Sequence, residues 1–136
     1  MIELVKPLPE LKKRQLSPRQ KLLSNFSLGA AGEQRAKQFL LNKGYTFLDC
    51  NVVSGHCELD LIMLDDRYDE VVFVEVKTRS SDYAGDPTTA ITPQKKYSLY
   101  KAAMAYLQQN RLVQNFRFDV VTVLPSSIEQ YENITW

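Results

Sequence analysis

The chain has 136 residues, 44% of them apolar, with 17 basic and 16 acidic side chains and a formal net charge of +1. That length fits one compact domain burying about two-thirds of its unfolded surface, and no second domain is needed. No apolar run is long enough to span a membrane and no signal-peptide pattern is present, so a soluble cytoplasmic protein with no membrane partner is expected.

Residues 1–25 hold six basic residues (Lys6, Lys12, Lys13, Arg14, Arg19 and Lys21) against Glu3 and Glu10, whereas the remainder is net acidic. We read a basic, flexible N-terminal arm over 1–25 and a single domain over 26–136. The arm either contacts phosphates or is a solvated tail. From Ser27 the chain carries a helical pattern that stops at Gly44. At about 100° per residue Glu33 falls on the stripe of Ala36 and Leu40, facing inward, while Arg35, Gln38 and Asn42 face the other way. An inward glutamate there either serves a site or answers the helix dipole. Gly29 and Gly32 weaken the helix by about 1 kcal/mol each relative to alanine, which close approach to another backbone or a ligand would explain.

Cys50, Cys57 and the only histidine, His56, follow. The cysteines are expected as reduced thiols, because a zinc site lacks ligands. Histidine acid–base catalysis is nearly excluded.

Next come two apolar runs that carry charges, Cys57-Glu58-Leu59-Asp60-Leu61-Ile62-Met63-Leu64 and Val72-Phe73-Val74-Glu75-Val76-Lys77. Strands this rich in Val, Ile and Leu are usually buried, and an ionised carboxylate in a dry setting needs a compensating cation or hydrogen bonds. The polar segment Asp65 to Glu70 predicts an antiparallel hairpin in which Leu64 faces Val71, Ile62 faces Phe73, Asp60 faces Glu75 and Glu58 faces Lys77. All eight would share one face. Two ionised carboxylates so opposed repel by about 3 kcal/mol at an effective dielectric near 20. A divalent cation between Asp60 and Glu75 resolves the conflict, with Lys77 beside the attacking water or the developing phosphorane charge. A cross-strand Glu58–Lys77 salt bridge on a solvated face is the structural alternative.

Beyond Lys77 the chain becomes polar, and Arg79 is either a phosphate contact or one half of a surface salt bridge. Thr92-Pro93 predicts the start of a helix through about Gln109, with Leu99, Ala103, Tyr106 and Leu107 as its apolar stripe. Lys95 and Lys96 in its first turn form either a phosphate site or a solvated face. Phe116 to Leu124 reads as a further strand. Its Asp119 is structural, paired with Arg79 or Arg117.

Taken together, Gly32-Glu33 with Ala36, Gly44-Tyr45, Glu58-Leu59-Asp60-Leu61-Ile62, Val72-Phe73-Val74-Glu75-Val76-Lys77-Thr78-Arg79 and Arg117-Phe118-Asp119-Val120-Val121 resemble the YraN family over about residues 27 to 124. That family is placed in the restriction-endonuclease-like superfamily, with a PD-(D/E)xK type of site and a likeness to Holliday-junction resolvases. The resemblance implies an α/β fold with an αβββαβ core, its mixed central sheet flanked by helices. It also implies magnesium-dependent phosphodiester hydrolysis, with Mn2+ as substitute, on nucleic acid, most readily DNA, branched DNA included. Asp60 and Glu75 match the metal ligands, Lys77 the motif lysine and Glu33 the helical glutamate. Family members commonly carry glycine where this chain has Cys57, so the preceding turn, Ser54-Gly55-His56, is expected to differ. A homodimer follows by analogy of fold alone. The expected function is thus a metal-dependent endonuclease, and the alternative is a non-catalytic nucleic-acid-binding or assembly module.

Overall fold

The computed structural model describes residues 28–83, 85 and 91–134. The N-terminal arm and the Ser27 start signal lie outside the described residues. Helix α1 (Leu28–Asn42) leads into a three-strand antiparallel meander, β1 (Thr46–Ser54), β2 (Cys57–Asp65) and β3 (Glu70–Thr78). Helix α2 (Pro93–Gln109) then crosses to β4 (Phe116–Val123), parallel to β3, and β5 (Ile128–Tyr131) closes the order β1-β2-β3-β4-β5. This is the mixed α/β architecture that the motifs implied, with one strand added. β5 escaped the sequence reading because Ile-Glu-Gln-Tyr is short and half polar.

The end of α1 and the start of α2 each have a local cause. α1 stops at Gly44, whose φ of 94° lets the Gly44 N–H reach the Leu41 carbonyl at 3.0 Å and the Tyr45 N–H reach that of Leu40 at 3.1 Å. α2 starts as expected, with the Thr92 hydroxyl accepting from the Lys95 N–H at 3.2 Å and Pro93 in the first turn.

The sheet is covered on both sides, which is why its central strands read as almost continuous apolar runs. Ala36 and Leu40 of α1, with Tyr45, pack on Leu61, Met63, Val72, Val74, Val121 and Val123. On the opposite face Leu99, Ala102, Ala103, Tyr106 and Leu107 of α2 pack on Ile62, Leu64, Val71, Phe73 and Val120. Burying a side chain such as Leu99 contributes about 2 kcal/mol.

At the end of the sheet where β2 turns into β3, Arg117 is buried on Asp65, Glu70, Asp119 and the Tyr45 hydroxyl, all within 2.9 Å. Asp119 is therefore structural, and its partner is Arg117. Among the described residues no helix is long and apolar enough to cross a membrane.

Candidate functional site

The hairpin register is the expected one from Leu61↔Val74 to Asp65↔Glu70, with Ile62 on Phe73 and Leu64 on Val71. The paired positions do not extend to Asp60–Glu75 or Glu58–Lys77. There the Asp60 carboxylate itself accepts the Val76 N–H at 2.9 Å, standing in for a ladder bond.

The expectation that Glu58 and Asp60 share a face with Ile62 is also corrected. Leu61 packs in the core under α1, yet Leu59, two residues earlier, packs in the core under α2. On β1, Cys50 and Val52 divide between the two cores in the same way. Simple alternation would have kept each pair together. The reversal falls at Asn51, a non-glycine residue in the left-handed region at φ 51°, within a strand that also carries a bulge between Phe47 and Asp49. The β1–β2 ribbon thus turns over, and Glu58 and Asp60 meet Glu33.

Carboxylate oxygens of Glu33, Glu58 and Asp60 lie within 4.8 Å of one another. Since carboxylates only accept, the Asn51 amide nitrogen faces them, donating to Glu33 Oε2 at 2.9 Å and Glu58 Oε1 at 2.8 Å. Glu33 lies beyond the first turn of α1, so the helix dipole does not account for it. Its position depends on Gly32, where a β-carbon would come 1.9 Å from Thr78 Oγ1. The small residue lets α1 press against the end of β3. Gly32→Ala is expected to push α1 outward, costing about 1–3 kcal/mol by overpacking and weakening divalent-cation binding, as thermal melts and Mn2+ titration would read. Unchanged values in both would remove the close approach from the account.

Glu75 and Lys77 stand two apart on β3, with Lys77 Nζ 3.2 Å from Glu75 Oε1. Lys95, from the first turn of α2, reaches the same oxygen at 2.5 Å. Glu58, Asp60, Glu75 and Lys95 line one cleft, together with His56, Cys57 and Ser98. Lys95, read from the sequence as part of a phosphate site or of a solvated face, is here an ion-pair partner of Glu75. Arg79 lies exposed just past β3, its N–H bonded to the Val123 carbonyl at 2.9 Å, and Lys96 is half-buried on α2.

The four residues expected to carry chemistry, Glu33, Asp60, Glu75 and Lys77, thus converge. Sequence reading placed Glu58 opposite Lys77 and outside the ligand set, because only the turned ribbon brings it to Glu33. Asn51 was missed altogether. Its one signal is an amide-bearing turn residue inside an otherwise strand-like run.

Burial, and then the charge of Glu75, pushes the Asp60 carboxyl up to about 7. Glu33 is raised as well, by burial and then by Glu58. Burial works against the charge on Lys95, but its bond to Glu75 outweighs that and raises it. For Asp60 the folded value lies above the unfolded one of about 3.9. Its contribution therefore favours folding below that value and is lost as pH rises from about 4 to about 7. A cation bound there would displace the proton. Calorimetric titration with Mn2+ in buffers of different ionisation heat is expected to show proton release at pH 6 that disappears at pH 8.5. Equal release at both would contradict the assignment.

Residues 32–123 match the profile of the uncharacterised protein family UPF0102. A UPF0102 protein of Syntrophomonas wolfei is 46% identical over 101 residues, covering 74% of this chain and 86% of its own. Another, from Alkaliphilus oremlandii, is 43% identical over 102 residues, covering 73% and 86% respectively. A third, from Bifidobacterium longum, is 44% identical over 114 residues, covering 82% and 86%.

Proposed function

The chain belongs to the UPF0102 family, the YraN family its motifs resembled, and we propose that it is a metal-dependent endonuclease hydrolysing phosphodiester bonds in DNA, branched DNA included. One observation carries this reading. Glu33, Glu58, Asp60 and Glu75, with Lys77 and Lys95, come from four separate elements into one cluster.

The donor set fits a hard divalent cation. All of its ligands are carboxylate oxygens, which suit Mg2+ and its substitute Mn2+. The nearby Cys57 thiol is raised by burial and then by Glu75, so it is held protonated, away from soft-metal chemistry. Four carboxylates against two lysines leave two negative charges, which one such ion offsets. Asp60 and Glu75 would hold it, with Glu33 and Glu58 from the side of α1. When bound, the ion supplies a positive charge against the scissile phosphate and makes water more acidic.

The remaining work falls to the chain's own groups. Lys77, fixed by Glu75, places an ammonium where negative charge develops on phosphorus. Lys95 offers a second, at the N-terminus of α2, where backbone N–H groups also favour an anion. Lys96 and Arg79 extend this basic edge for phosphates on either side, and reduced thiols suit a cytoplasmic setting.

The test is cleavage of linear, flapped and four-way DNA by purified protein in Mg2+, beside Asp60→Ala. Cleavage that needs the ion and vanishes in the variant supports the reading. Cleavage undiminished in the variant contradicts it, and binding without cleavage leaves a nucleic-acid-binding module.

A further inference from the structure

From the backbone and side chain of Asn51 we infer a positioning residue that sets the geometry of the carboxylate cluster without touching substrate or ion. This inference rests on the cation-binding reading of the site.

Two independent features converge on this residue. Its backbone sits at φ 51°, a conformation L-residues other than Asn, Asp and His rarely adopt, in the middle of a nine-residue strand. At that point β1 and β2 exchange faces, as the division of Cys50 from Val52 and of Leu61 from Leu59 between the two cores records. Without the exchange Glu58 and Asp60 would keep the facing of Ile62 instead of turning toward Glu33, at a cleft that Lys95 of α2 also lines. The kink is thus what makes the cluster possible.

The side chain then holds what the backbone assembles. One amide nitrogen has two hydrogens, and Asn51 gives one to Glu33 at 2.9 Å and one to Glu58 at 2.8 Å. Those carboxylates lie close enough to repel each other, and burial disfavours the charge on Glu33, so a donor shared between them holds the pair together. Because the amide is neutral, it orients two anions without cancelling the charge that draws a cation. A lysine in its place would do the opposite. Groups of this kind behind metal ligands typically change affinity by about 10–100-fold when removed.

Asn51→Gly separates the two contributions, since glycine adopts positive φ freely while lacking the amide. The variant is expected to fold, with a melting temperature in EDTA within a few degrees of the parent, yet to bind Mn2+ about tenfold or more weakly by calorimetry. In a Glu33→Gln, Glu58→Gln background the same change is expected to cost much less, because the groups it acts through are already neutral. Parent protein that binds Mn2+ together with Asn51→Gly of equal affinity would overturn this inference alone. So would an equal loss in both backgrounds. Parent protein that binds no Mn2+ would overturn both the inference and the cation-binding reading beneath it.

Discussion

Replacing Arg117 with methionine is expected to destabilise the domain by about 3–5 kcal/mol, the usual cost of removing one partner from a buried ion network. Arg117 lies on β4 and is 6% exposed, while Asp65 and Asp119 beside it are 0% and 1% exposed. Its guanidinium bonds Asp119 through two oxygens, at 2.9 and 3.1 Å, and also reaches Asp65 and Glu70, each at 2.8 Å. Without it, among the described residues, Asp119 keeps neutral hydrogen-bond donors, Gln130 and the Asn133 N–H. Asp65 keeps Arg67, a side chain half exposed to solvent. Removal of Arg67 is therefore expected to cost about 1 kcal/mol or less.

Denaturant titration of the two variants decides this, and equal losses would show that burial does not govern the network. The acid limb gives a second reading. Hydrogen bonds from Arg67 and Arg117 overcome burial and hold the Asp65 carboxyl well below the usual carboxylate range. A depressed group contributes stability above its unfolded value and loses it as pH falls, so Arg117→Met should flatten the acid limb. Because Asp65 and Glu70 flank the hairpin turn, at the opposite end of β2 and β3 from Asp60 and Glu75, the folded variant should still bind Mn2+.

Lys77→Ala is expected to lower the rate of DNA cleavage by about 100–1,000-fold while leaving Mn2+ affinity unchanged or slightly higher. The ammonium sits 3.2 Å from Glu75 Oε1, so it competes with a cation for that oxygen. Its loss should relieve the competition and remove the charge that stabilises the transition state. Asp60→Ala should differ by losing affinity and rate together, since its carboxylate lies both in the acidic cluster and on the Val76 N–H. Single-turnover cleavage at saturating Mn2+, set beside calorimetric affinities, separates the two effects. Lys77→Ala with full rate would sink its assigned role.

The helices and the hairpin were legible because their signals are local. Thr92-Pro93 and Gly44 mark helix ends by backbone chemistry that acts within one turn, and the hairpin register follows from a polar segment between two apolar runs. The convergence of Glu33, Asp60, Glu75 and Lys77 was legible too, through inward charges that a core does not tolerate idly. What failed was the assumption of unbroken period-two alternation. A single left-handed residue, Asn51, reverses both strands, and neither propensity nor periodicity registers a dihedral angle. The same step hid Glu58 as a member of the cluster. The pairing of Lys95 with Glu75 was not legible, because a first-turn lysine gives no sign of which β-strand carboxylate it will meet.

The most direct measurement is anomalous diffraction from a crystal soaked in Mn2+. The account predicts a peak bonded to Asp60 and at least one of Glu33, Glu58 and Glu75, at about the 2.0–2.2 Å typical of carboxylate ligation. A well-diffracting soak with no peak in that cleft, or with manganese only on scattered surface carboxylates, would contradict it.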